Sequence, residues 1–167
     1  MSSSTIGTPW RRAIAAISRR RSSGMVNAPV LARERNIQVT EIKHDRPGDY
    51  QSMMRLSVTT DQRTRDVCGT LFGSDKPRIV EIKGIRIEAE LGRHMLYTTN
   101  EDKPGFIGRL GSLLGEAGVN IATFHLGRSA PGADAIALIE VDQALSDALL
   151  AQVRQIPGVV QAEALAF

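Results

Sequence analysis

Apolar, small and polar residues recur with helical spacing between Pro104 and Gly118. At 100° per residue, the apolar side chains fall in one arc of roughly 120°, and the polar ones lie apart from it. Pro104 suits the first helical position, where a missing N–H costs little, and Gly118 suits a left-handed stop. The pattern predicts a helix packed on a sheet, with a glycine strip that favours close approach of another backbone. The strip comprises Gly108, Gly111, Gly115 and Gly118.

Strand and turn signals on both sides of this helix complete a compact unit. A second helix is predicted from Leu145 to Ile156, with Ser146 near its start and Pro157-Gly158 as its stop. Short strands are predicted at 94–99, 119–126, 134–141 and 159–167. The order β-α-β-β-α-β is the ferredoxin-like arrangement, an α+β fold. A sheet with helices on one face leaves an edge or a face that a second copy can complete.

The preceding segment, 26–92, reads as mostly β structure. Alternating residues predict strands at 37–42 and 56–60, and two more, at 78–82 and 85–89, flank Lys83-Gly84. Asn27 followed by Pro29 predicts the start of a short helix.

The loop before the first predicted helix carries polar groups that could bind a small ligand. Free backbone N–H groups at a helix N-terminus favour an anion such as an amino-acid carboxylate. Asp102 could cap the helix or hold a ligand, and Asn120 could be a simple strand-edge amide. The glycines form neither G-x-G-x-x-G nor a Walker loop, so the sequence does not predict a nucleotide site here.

The stretch from Tyr97 to Arg128 resembles an ACT domain, a regulatory module that binds amino acids, usually across a dimer interface. Upstream, Met25-Val-Asn-Ala-Pro-Val-Leu-Ala-Arg-Glu-Arg35, Cys68-Gly-Thr-Leu-Phe-Gly73 and Arg78-Ile-Val-Glu-Ile-Lys-Gly84 resemble the segment before that domain in long-form D-3-phosphoglycerate dehydrogenases. There it belongs to the intervening, or allosteric substrate-binding, domain. The resemblance implies a partial intervening domain at 25–92 and an ACT domain at 93–167.

The resemblance also implies roles for three residues in binding L-serine. Asp102 occupies the position that holds the amino group of serine, and Asn120 of a second copy faces it across a homodimer interface. Asn100 stands where relatives show a histidine or tyrosine, which leaves the identity of the amino acid open.

A second group of candidates lies in the intervening segment. Arg78, Lys83 and Arg86 stand where relatives cluster basic residues around an anion, but Ile85 and Glu90 interrupt the cluster. A solvated charged face is our preferred interpretation of these three residues.

The sequence shows none of the catalytic parts of the resembled enzyme. It has no glycine-rich dinucleotide turn followed by an acidic ribose-binding residue. We therefore expect no catalytic residue and no cofactor in this chain, whereas the resembled enzyme uses NAD. The resemblance predicts an L-serine-binding regulatory fragment of a truncated dehydrogenase of L-serine biosynthesis. A regulatory piece of a serine dehydratase, or a freestanding ACT protein acting in trans, is the alternative.

The composition excludes several kinds of structural and metal site. The single cysteine, Cys68, excludes an intramolecular disulfide and an iron–sulfur cluster and suits a cytoplasmic location. No run approaches 18 apolar residues, so the sequence predicts no membrane span. His44, His94 and His125 lack metal-ligand spacing, and we interpret them as structural.

The charged residues that give the net charge of +3 are unevenly distributed along the chain. Residues 1–24 contain five arginines and no acid, whereas the rest carries 16 basic and 18 acidic side chains. The tail is similar to an organellar transit peptide and could contact nucleic acid through charge. We prefer a disordered leader or the out-of-family start of a truncated gene, and we do not expect nucleic acid as a partner.

Overall fold

The computed structural model describes residues 53–61, 64–73 and 75–167, with Tyr50 and isolated positions from 30 to 42. The predictions for the tail at 1–24, for Asn27 and for His44 lie outside the described residues, as does half of the predicted strand at 37–42. From Met53 onward, eight strands and two helices follow one another along the described part of the chain. They are β1 (Met53–Thr59), β2 (Thr64–Phe72), β3 (Lys76–Ile82), β4 (Ile85–Glu90), β5 (His94–Glu101), α1 (Phe106–Glu116), β6 (Ile121–Arg128), β7 (Asp134–Val141), α2 (Asp147–Arg154) and β8 (Val159–Ala166).

The C-terminal unit is a four-stranded sheet with strand order β6-β7-β5-β8. Each neighbouring pair is antiparallel, so β5 and β6 run in the same direction on either side of β7. Together with α1 and α2, this topology confirms the predicted ferredoxin-like unit within an α+β fold. No helix among the described residues is long and apolar enough to cross a membrane.

The two helices differ in how they begin. The Ser146 hydroxyl accepts a hydrogen bond from the Leu149 backbone N–H (3.2 Å), which confirms the predicted start of α2. α1 begins at Phe106, and Pro104 therefore does not occupy its first position. The reason is Gly105, whose φ of 90° turns the chain in the left-handed region immediately before the helix.

The end of α1 matches the sequence prediction, but its glycine strip does not behave as expected within the chain. Gly118 has φ 68°, the predicted left-handed stop. A Cβ added at Gly108, Gly111 or Gly115 would have nothing described within 4 Å. The predicted close approach of another backbone is therefore not made by the described part of this chain.

The N-terminal unit is a second antiparallel sheet, with order β1-β2-β3-β4. Strand β2 was not predicted, because four consecutive residues, Val67 to Thr70, are buried and the alternation that marks a half-buried strand is absent. The other strands agree with the predicted ones to within a few residues at their ends.

Two apolar clusters occupy the two faces of the ferredoxin-like sheet. One lies beneath α1 and α2, with Leu96, Leu110, Leu114, Ile139 and Val153 at its centre. The other joins the two sheets: Ile79, Ile82 and Ile87 of the N-terminal sheet pack with residues of the ferredoxin-like sheet such as Tyr97 and Leu138. The face without helices is thus covered by β1–β4. Of the edge or face that we expected a second copy to complete, this face is already covered within the chain, whereas β6 remains at an edge of the described sheet.

Candidate functional site

Asp102 lies between β5 and α1 and is held by two donors. Its Oδ2 accepts a hydrogen bond from the Arg128 Nη1–H (2.9 Å) and another from the Gly132 backbone N–H (3.0 Å). The Gly132 bond first, and then the Arg128 guanidinium, lower the pKa of this carboxyl below its ordinary value. The loop thus presents an ionised carboxylate beside a cation at neutral pH.

Strand direction explains why these groups meet. Because β5 and β6 are parallel, their carboxyl ends lie at the same edge of the sheet. Asp102 follows the end of β5, and Arg128 is the last residue of β6. The turn that carries Gly132 joins β6 to β7 at the same edge. The fold therefore gathers a carboxylate, a guanidinium and a backbone donor from three separate stretches of sequence.

The N-terminus of α1 faces this loop without a capping side chain. Its N-cap position is Gly105, no side chain caps the helix, and no acidic residue lies in its first turn. The interpretation of Asp102 as a helix cap is therefore wrong. A Cβ added to Gly105 would lie 2.8 Å from Arg109 Nη1, so this guanidinium lies close over the helix start. Unpaired helix N–H groups and a nearby guanidinium favour an anion.

Asn100 is buried just before Asp102, with 3% of its surface exposed. Its Nδ2 donates to the Glu101 backbone oxygen (2.8 Å), and its Oδ1 has no hydrogen-bond partner in the described structure. Thr98, fully buried two residues earlier, likewise leaves its Oγ1 unpaired among those residues. An unpaired buried acceptor is costly, so Asn100 next to Asp102 is a candidate ligand group.

Asn120 lies at the opposite end of the sheet from Asp102 in the same chain. It precedes β6, and its Nδ2 donates to Asp142 Oδ2 (2.8 Å). The eight residue steps from Asn120 to Arg128 span about 26 Å at the usual strand rise. One chain alone therefore does not bring Asn120 and Asp102 together.

The three basic candidates of the intervening segment do not converge. Arg78 donates to Glu90 Oε1 (2.5 Å) at the open end of the β3–β4 hairpin, whereas Lys83 lies in its turn. Arg86, near the turn, is exposed and stands opposite Glu81 in the strand register. Arg78 and Arg86 each face an acid across the hairpin, as on a solvated charged face.

One group of potential metal ligands occurs in the described structure: Asp66, Cys68 and Glu81, whose ligand atoms lie within 4.8 Å of one another. Arg55 forms ion pairs with both carboxylates, that with Glu81 at 2.8 Å. Burial raises the pKa of the Cys68 thiol to about 11, so the thiol is protonated at neutral pH. A guanidinium already supplies the positive charge, and we interpret the group as a structural ion-pair cluster.

Arg128 and Thr98 were not predicted as site residues from the sequence. A signal for Arg128 did exist, because the β-α-β order makes the first two strands of the unit run in the same direction. Their carboxyl ends therefore lie at the same end of the sheet, and an arginine there is on the same side as the loop that follows the other strand. Thr98 gave no comparable signal, since a threonine inside a strand is ordinary and its burial depends on the helices above it.

Comparison with known families matches two consecutive parts of this chain. Residues 14–83 match the family model of the D-3-phosphoglycerate dehydrogenase intervening domain, and residues 94–158 match that of the ACT domain.

Several curated proteins named D-3-phosphoglycerate dehydrogenase are similar to this chain. That of Synechocystis sp. is 35% identical over 134 residues, which cover 80% of this chain and 24% of the relative. That of Bacillus subtilis is 34% identical over 135 residues, 81% of this chain and 26% of the relative. That of Archaeoglobus fulgidus is 31% identical over 140 residues, with 83% and 26% covered. The chain thus spans about a quarter of the length of these relatives, and a serine dehydratase piece is not favoured.

Proposed function

This chain is a C-terminal regulatory region of the D-3-phosphoglycerate dehydrogenase family, with intervening-domain sequence followed by an ACT domain, and we propose that it binds L-serine at Asp102. Binding of the amino acid regulates a dehydrogenase of L-serine biosynthesis. The observation that carries the proposal is the ionised Asp102 carboxylate beside Arg128 and before the uncapped start of α1.

The chemistry of these groups fits an α-amino acid. Asp102 Oδ1 has no partner among the described residues and can accept from an ammonium group. The N–H groups at the start of α1 can bind a carboxylate. Asn100 Oδ1, unpaired and buried, is a further acceptor for the ammonium or for the serine hydroxyl.

We propose that the complete site forms in a homodimer through the ACT domain. β6 is an edge strand with one free side. Antiparallel pairing of two β6 strands about Phe124, midway between residues 120 and 128, would bring Asn120 of a second copy beside Arg128 and hence beside Asp102. The exposed Ile107 of α1 and Leu126 of β6 support this edge as the interface, because a second copy would cover both side chains.

We expect that this chain binds no NAD and does not oxidise 3-phosphoglycerate, because its sequence has no glycine-rich dinucleotide turn followed by an acidic ribose-binding residue. We also propose a cytoplasmic location, which suits the reduced Cys68 thiol.

Thermal unfolding with and without L-serine tests the function. A ligand that binds only the folded chain raises the melting temperature by mass action, so millimolar L-serine should raise it for the wild-type chain. Asp102→Ala should abolish the shift, and Asn120→Ala should weaken binding by about 2- to 12-fold, the value of one hydrogen bond. Asp61→Ala, an exposed site outside the ACT domain, is the control. Melting curves that serine and glycine both leave unmoved would refute the proposal.

A further inference from the structure

Resting on the proposed function, we propose that Arg128 is a further binding residue, which takes the carboxylate of the amino acid and so restricts the site to ligands that carry both charges. Arg128 and Asp102 are joined through one nitrogen and one oxygen, and each keeps further groups that can bind a ligand.

The ion pair leaves binding capacity on both partners. The 2.9 Å bond joins one Arg128 nitrogen, Nη1, to one Asp102 oxygen, Oδ2. The Arg128 side chain is 54% exposed, and its remaining N–H groups have no partner in the part of the chain that the structure describes. Asp102, 21% exposed at its side chain, keeps Oδ1 free of such partners as well. A guanidinium presents five N–H donors in a fixed fork, so one bond to Asp102 leaves room for a second carboxylate.

The Gly132 bond keeps the Asp102 carboxylate in place while Arg128 changes partners. Because a backbone N–H of the β6–β7 turn also donates to Oδ2, the carboxylate does not depend on Arg128 alone for its orientation. Arg128 can therefore turn part of its fork toward a ligand without leaving Asp102 unbonded.

A zwitterion complements this pair, whereas a singly charged molecule does not. The ammonium of an α-amino acid approaches Asp102 while its carboxylate approaches Arg128, and each new contact is charge-assisted. An amine without a carboxylate competes with Arg128 for Asp102 and adds a second cation there. A carboxylate without an ammonium competes with Asp102 for Arg128. The arrangement therefore selects for both groups on one small molecule.

Titration calorimetry on the full chain tests this role with three probes of similar size. L-serine carries both groups, ethanolamine lacks the carboxylate, and glycerate lacks the ammonium. The wild-type chain should bind serine and should bind the other two at least tenfold more weakly. Arg128→Gln should weaken serine binding by tenfold or more, and the ratio of the affinities for serine and ethanolamine should fall. Lys103→Gln, which removes a neighbouring exposed charge paired with Glu101, should leave serine binding within about twofold.

The outcomes separate this inference from the proposed function. Failure of the wild-type chain to bind serine or glycine would refute the function itself. Wild-type binding that Arg128→Gln leaves unchanged, or strengthens, would overturn the role of Arg128 and leave the function standing. Equal wild-type binding of serine and ethanolamine would overturn it too, without any variant. Should Arg128→Gln fold poorly, Arg128→Lys keeps the charge but lacks the fork, and a loss of serine binding by less than twofold would contradict the inference.

Discussion

The Asp102 carboxyl illustrates how single contacts set the electrostatics of the loop. The Gly132 N–H and the Arg128 guanidinium favour its charged form, and its pKa is therefore lowered in the folded chain. A group whose folded pKa is depressed stabilises the fold above its unfolded pKa, about 3.9 for an aspartate. That contribution is lost as the pH falls through the lower folded value.

Asp102→Asn should therefore change stability in a pH-dependent way. The amide oxygen can still accept from Gly132, but the charge that faces Arg128 is gone. The variant should be less stable than the wild-type chain at pH 7, and the difference should shrink as the pH falls below about 4, where the unfolded aspartate is protonated. Denaturant unfolding at pH 7, 5 and 3 measures it. A difference that stays constant over this range would contradict the pKa shift.

At the scale of elements, α1 has a buried apolar stripe and a strip of glycines that no described residue covers. Phe106, Leu110 and Leu114 are buried against the sheet, as the periodicity predicts. The interior glycines cost the helix up to about 1 kcal/mol each relative to alanine, and the described chain places nothing within 4 Å of them. If a second copy packs against this strip, the close contact that the glycines allow would offset the helix stability that they cost.

Gly111→Ala separates the two effects. Alanine should raise helix stability by up to about 1 kcal/mol, because its methyl group meets nothing in the described chain. The same methyl group should weaken a dimer that packs on the strip, which sedimentation at micromolar concentration would measure. Gly118→Ala is the contrast: its φ of 68° disfavours a Cβ, so the fold itself should lose about 1–2 kcal/mol. A Gly111→Ala chain with unchanged self-association would argue against an interface on this strip.

Most of the ferredoxin-like unit could be predicted from its sequence, because each of its elements has its own local signal. Gly118 marks the end of α1, and Ser146 marks the start of α2. Strand β2 could not be predicted, because its burial on both faces depends on packing that no local pattern records. The sequence prediction placed the start of α1 at Pro104, two residues too early. The reason is that Pro104-Gly105 is compatible both with a first helical turn and with a turn that precedes the helix. The residues around Arg128 do not mark it as a site residue, and only the parallel direction of β5 and β6, which the predicted β-α-β order implies, places it near Asp102.

At the scale of the whole molecule, the two sheets share one apolar cluster and should unfold together. Residues from both sheets, including Ile79, Ile87, Tyr97 and Leu138, are almost fully buried in it. Removal of either sheet would expose the apolar face of the other. Packed side chains join the intervening segment to the ferredoxin-like sheet, and the last residue of its strand β6, Arg128, contacts Asp102.

Gly127, next to Arg128, lies where β6 of one sheet packs closely on β4 of the other, so that a side chain larger than glycine does not fit. A Cβ added there would lie 2.3 Å from the Arg86 backbone oxygen, and a backbone atom cannot rotate away as a flexible side chain can. Gly127→Ala should therefore push β4 from β6 and lower the free energy of unfolding by about 1–3 kcal/mol, as overpacking does. Gly108→Ala, which adds the same methyl group in open space, is the matched control and should not destabilise the monomer.

The same substitution tests whether the contact between β4 and β6 matters for the site. Because Arg128 is the next residue, a displaced strand end should also change its approach to Asp102, and serine binding should weaken together with stability. Denaturant unfolding and calorimetry on Gly127→Ala measure the two effects on one protein. A variant as stable as the wild-type chain would contradict the tight packing of β4 on β6. A destabilised variant with full serine affinity would show that the site is held by its own loop and does not depend on the neighbouring sheet.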